Sequence, residues 1–63
     1  MLELVKIDYN KETKEESFKP FMIYRKDIIS LYRDNRGVFV VNTQGFMYKV
    51  PYKLDVIREF IGV

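Results

Sequence analysis

The chain reads as a mainly β domain of the α+β class: a four- to five-stranded antiparallel meander, open or closed into a small barrel, with a short C-terminal α-helix packed on it. Three observations predict this. Short runs of alternating apolar and polar residues recur along the sequence, glycine-bearing turn signals separate the later runs, and the apolar spacing becomes helical only after Pro51. The 63 residues suffice for one domain, 1–63, with strands over 2–9, 18–24, 28–33, 38–43 and 46–50 and a helix over 53–61.

The first strand rests on Val5, Ile7 and Tyr9 alternating with Lys6 and Asp8. The apolar parity slips between Leu4 and Val5, which predicts a bulge or register change there. Residues 10–17 (NKETKEES) contain no hydrophobe and read as an exposed loop. In the second strand Pro20 cannot donate to a ladder, so it belongs at the strand's start, at an edge or at a bulge. Arg25-Lys26-Asp27 then makes a short turn.

Two turns organise the next segment. Asp34-Asn35-Arg36-Gly37 suits a three-residue loop, a type I turn closed by a glycine at positive φ, which pairs Asp34 with Val38 and Leu31 with Val41. Gln44-Gly45 suits a two-residue loop, which pairs Thr43 with Phe46, Val41 with Tyr48 and Phe39 with Val50. Both registers select one core face: Ile29, Leu31, Phe39, Val41, Phe46, Tyr48 and Val50. Pro51 stops the last strand. Leu54, Ile57 and Ile61 then repeat at helical spacing with Val56 and Phe60 beside them, and Gly62 is a natural stop. So short a helix must pack on the sheet to persist.

Composition excludes most catalytic chemistry. With no His and no Cys, Ser-His and Cys-His nucleophile pairs are impossible, and zinc sites of the usual ligand types are absent too. The three glycines are isolated, without the spacing of a phosphate-binding loop. The sequence therefore predicts no catalytic residue, no metal site, no cofactor and no small-molecule substrate. The lack of cysteine fits a reducing compartment, and the absence of a signal segment or long apolar run predicts a cytoplasmic protein away from membranes.

Binding surfaces are the better prospect. The face opposite the expected core carries Ile28, Tyr32, Val38, Val40, Met47 and Lys49 with Ser30 and Asn42, more apolar than water alone requires. It is expected to be covered by the first hairpin, to form a homodimer, or to receive another protein. An uncovered edge strand offers a further route. The net charge of +2 hides a middle segment, residues 17–54, with seven bases against two acids. Its Arg25, Lys26, Arg33, Arg36 and Lys53, near Tyr24, Tyr32 and Tyr52, are the expected contacts if the partner is a nucleic acid.

From Ile28 onward the order of features resembles two bacterial families. The string Ile28, Leu31, Val38-x-Val40-Val41-x-Thr43-x-Gly45-x-x-Tyr48-x-Val50, followed by Val56, Ile57 and Ile61, is similar to the small flagellar regulatory proteins of the FlbD/SwrD type; the first seven residues also resemble that family's opening strand. The order of an Ile-rich strand, a turn, a hairpin with Thr43 and Gly45, and a helix is similar to the second half of LytTR-type DNA-binding domains. The acidic, lysine-rich segment 10–17 departs from the shorter FlbD-type first turn, and a full LytTR domain needs more chain. Small phage-borne inhibitors of host proteins share the size and aromatic, strand-rich character. What these resemblances imply is a regulatory protein of bacterial or phage type. Together with the residues, they lead to the expectation of a non-catalytic module binding a protein, or itself, with nucleic-acid binding as the alternative.

Overall fold

The structure, a computed structural model, describes Met1–Gly62. It contains five strands and one helix: β1 (Leu2–Asn10), β2 (Glu15–Ile23), β3 (Ile28–Asp34), β4 (Gly37–Asn42), β5 (Met47–Val50) and α1 (Leu54–Ile61). β1 and β2 form one antiparallel sheet, and β3-β4-β5 form a second. A single 3-10 turn, Arg25–Asp27, links them. The fold is thus small, mainly β and α+β, as the sequence predicts. β1 lies against β5, but no ladder joins the two sheets, so the barrel is not closed.

One cluster holds these parts together. Val38, Val40 and Val50 line the inner face of the second sheet, and Leu4 and Ile23 reach it from the first hairpin. Ile57 and Ile61 cover it from α1, where their four-residue spacing puts both on one side of the helix. Leu2, Phe21, Ile28, Leu31, Tyr52 and Leu54 surround the cluster. The first hairpin and the helix therefore share a single sheet face and leave the other to solvent.

Both turns differ in length from the sequence reading. Asp34 pairs with Gly37 across a two-residue loop. Thr43-Gln44-Gly45 is the longer loop: Asn42 and Phe46 close it by a backbone hydrogen bond of 3.0 Å, and Gly45 sits at φ +86°. Asn42 is the cause. Its Oδ1 accepts the N–H groups of Gln44 and Phe46, each at 3.0 Å, so the turn begins one residue earlier than Gln44-Gly45 suggests.

Each correction shifts the ladder by one residue, and the strand between the turns absorbs both. β4 is flipped: Val40 pairs with Leu31 and Tyr48, and Val38 with Arg33 and Val50. Of the expected core face, Leu31, Tyr48 and Val50 keep their side, whereas Phe39 and Val41 turn to the opposite one. Ile29 sits at a bulge and Phe46 at a turn, and both are exposed.

Candidate interaction surface

The first hairpin carries an apolar row with several exposed members. Its turn is set by Asn10, whose Oδ1 accepts the N–H of Glu12 at 2.9 Å and of Thr13 at 3.4 Å, and whose carbonyl accepts the N–H of Lys14 at 2.8 Å. Strand therefore reaches further into the polar segment than the sequence suggests, and only residues 11–14 remain outside it. The register runs unbroken from Leu2 opposite Ile23 to Asn10 opposite Glu15, with no bulge at Leu4-Val5.

Strict alternation follows from that register. One row points toward the core: Leu2 and Leu4 with Phe21 and Ile23, continued outward by Lys6, Asp8, Ser17 and Lys19. Its outer part is polar, with Asp8 lying 3.9 Å from Lys6 and 3.5 Å from Lys19. The opposite row is Val5, Ile7 and Tyr9 with Phe18, Pro20 and Met22, bounded by Glu3 and Glu16. Phe18 is 64 %, Tyr9 58 % and Met22 56 % exposed. Beside the inner end of this row opens a groove of about 290 Å³ lined by Glu3, Leu4, Tyr52, Val56, Ile57 and Phe60. Val56 and Phe60 face outward there instead of joining the core.

The outer face of the second sheet is less available. Tyr32 stacks on Phe39 with ring centroids 5.1 Å apart, and the Arg36 guanidinium sits 5.1 Å above the same ring. Phe39 is only 8 % exposed. The Tyr32 hydroxyl lies 3.6 Å from the Met47 sulfur, so Met47 too is partly engaged.

The residues singled out from the sequence are dispersed by the flip of β4. Val38 and Val40 are core residues, Val40 with no exposure at all, and they are withdrawn from any binding surface. Ile28 packs against the same core. Tyr32, Met47 and Lys49 share the outer face of the second sheet, where the Lys49 ammonium lies 3.6 Å from Glu16 of the first hairpin.

The basic residues also fall into separate groups. Arg36 is held by Asp34, whose Oδ1 accepts its backbone N–H at 2.8 Å and whose Oδ2 accepts its side-chain Nη2 at 2.9 Å and Nε at 3.2 Å. That pairing, the side-chain hydrogen bonds foremost, keeps the Asp34 carboxyl below its ordinary value of 3.8 and raises Arg36. Lys26 lies over the Tyr24 ring at 5.5 Å, and Arg25 belongs to the linking turn. Arg33 and Lys53 line one shallow depression of about 600 Å³ together with Arg58 and Asp55. Among the described residues, no three or more acids come together as a metal site.

Sequence reasoning missed the hairpin row, and one signal could have found it. The parity slip at Leu4-Val5 marks two half-rows on opposite faces of one straight strand, inward near the core and outward beyond it. No known family, characterised protein or solved structure matches this chain. Among the described residues, no helix is long and apolar enough to cross a membrane.

Proposed function

We propose that the chain is a non-catalytic regulatory or interaction protein that binds another protein, or itself, through the outer face of the β1–β2 hairpin. The observation that carries this reading is the exposure of Tyr9, Phe18 and Met22 in one row with Val5, Ile7 and Pro20. Apolar residues gathered on one face mark a contact surface more often than residues scattered singly. The free edges are poorer docking sites. Pro20 removes a backbone donor from the middle of β2, and a bulge at Ile29 interrupts β3. The lack of His and Cys leaves catalysis to groups that no rigid pocket gathers. A cytoplasmic setting belongs to the same reading, on the cysteine-free composition.

A photo-crosslinking phenylalanine analogue placed at position 18 tests the reading against the same analogue at Phe46, which is 59 % exposed but lies at the β4–β5 turn. Crosslinks to a defined chain from position 18 alone uphold it. Equal yields from both positions, or none from position 18, overturn it.

A second reading, nucleic-acid binding, is favoured by the depression that gathers Arg33, Lys53 and Arg58. None of the three has a carboxylate within ion-pair distance among the described residues. Binding to single-stranded DNA or RNA that weakens with salt and with Arg33→Glu and Arg58→Glu would establish it; no binding at low salt would end it.

A further inference from the structure

We infer that the occupant of the hairpin face is a second copy of this chain, packed hairpin on hairpin about a two-fold axis that crosses the strands. The inference rests on the hairpin face being the contact surface and adds the identity of what covers it.

Area is the first argument. The chain exposes 4859 Å², against about 4,300 Å² for a compact monomer of its 7.6 kDa mass. Its radius of gyration is 11.7 Å where about 10.6 Å is typical of its length, and its long dimension is 35 Å against 21 and 19 Å. The excess of about 550 Å² per copy, about 1,100 Å² for two, matches the small, weakly associating end of protein interfaces.

The shape of the hairpin says where that excess lies. Near the core the inward row is apolar, so the ribbon packs there on its own domain. Farther out the row becomes Lys6, Asp8, Ser17 and Lys19, and the apolar side is the opposite one. The outer half is thus an amphipathic two-stranded ribbon, and such a ribbon is marginal in water unless something covers its apolar face. The chain has no disulfide to reinforce it, and association is a standard remedy for a domain of this size.

The row is also compatible with its own image. Its ends are Glu3 opposite Met22 and Glu16 opposite Tyr9. A two-fold axis across the strands brings Glu3 of each copy to Tyr9 of the other and Glu16 to Met22, so no glutamate faces a glutamate. The middle of the row then packs Val5 against Ile7 and Pro20 against Phe18, while the two globular ends lie at opposite extremes. The contact is isologous and closes at two copies.

Sedimentation equilibrium of the purified chain from about 10 μM to about 1 mM, the range of dissociation constants that small interfaces give, tests the inference. The expected result is twice the 7.6 kDa chain mass, reverting to the single mass in Phe18→Lys and in Tyr9→Lys, with Met47→Lys still dimeric. Isotope-filtered contacts between Val5 and Ile7 methyls of different copies provide the same reading without substitution. A single mass throughout overturns the inference, as does a dimer that survives both hairpin variants. A single mass combined with crosslinks from position 18 to a different protein rejects the second copy and leaves the contact face standing. A single mass with no such crosslinks rejects both.

Discussion

Val5 stands opposite Pro20 in the first hairpin and donates its N–H to the Tyr52 hydroxyl at 2.9 Å. The pairing explains how a proline is accommodated in this hairpin. Because the Val5 N–H points to Tyr52 and not to β2, the two residues form a non-hydrogen-bonded pair, in which the Pro20 nitrogen also faces away from β1 and no ladder donor is lost. The same bond ties the hairpin to the segment that enters α1, which makes Tyr52 a joint between the two elements covering the core.

Tyr52→Phe should therefore destabilise the fold by about 1 kcal/mol, the usual net worth of such a bond when one partner is left without an acceptor. For a domain this small that lowers Tm by roughly 4–8 °C. Thermal unfolding followed by circular dichroism checks it. Amide exchange adds a local readout, since the Val5 N–H should lose protection more than the Leu4 N–H. No change at Val5 would show that the bond is not maintained in solution.

The flip of β4 makes opposite demands on two neighbouring valines. Val40 lies wholly inside the core, and Val41 faces outward beside Phe39 and Met47. Val40→Ala should cost about 2–3 kcal/mol because it opens a cavity, and Val41→Ala should stay within about 1 kcal/mol. Urea unfolding of the two variants decides the register, because the alternative pairing exchanges the two costs. Val40→Asp should abolish folding outright, whereas Met47→Asp, at a site 49 % exposed, should be tolerated.

That strand also shows how far the sequence could be read. Elements and fold class were legible because alternation, turn residues and the late helical spacing agree with one another. Register was not legible in β4, where Val38 and Val40 compete with Phe39 and Val41 and both sets are apolar enough for a core. With hydrophobic pattern silent, only the turns could decide. Both begin with an Asx residue followed by glycine three positions later, and that signature does not distinguish a two-residue loop from a three-residue one. The hairpin face was hidden for a related reason. A strand that is apolar inward at Leu2 and Leu4 and outward at Val5, Ile7 and Tyr9 imitates a bulge when read one strand at a time.

Gly45 offers a direct test of the longer turn. Its φ of +86° belongs to the left-handed region, and nothing lies within 4 Å of where a Cβ would stand. A substitution there thus meets backbone strain alone. Gly45→Ala should destabilise by about 1 kcal/mol, and Gly45→Asn by less, since asparagine tolerates that conformation. At Gly37 the φ of +142° lies outside the left-handed region that asparagine tolerates, so asparagine should lose its advantage over alanine there. Equal behaviour of alanine and asparagine at position 45 in urea unfolding would argue against the left-handed turn.

Asp34 and Arg36 give the turn between β3 and β4 a dependence on pH whose sign is fixed by the pairing. The Asp34 carboxyl is held below its ordinary 3.8 chiefly by the side-chain hydrogen bonds from Arg36. A carboxyl depressed in the folded state contributes stability above its unfolded value and loses it as pH falls through the folded one. The turn should accordingly be intact from neutral pH down to about pH 4 and loosen under stronger acid. Carboxyl carbon chemical shifts should give Asp34 a midpoint below 3.8, and Arg36→Gln should move it back toward that value. Asp34→Asn should keep the Oδ1 acceptor for the Arg36 N–H and remove the pH dependence. Because the Arg36 side chain is exposed and Asp34 only half-buried, salt should weaken the guanidinium–carboxylate attraction while leaving the backbone bond in place. A midpoint that Arg36→Gln does not move would show that Arg36 does not pair with Asp34 in solution.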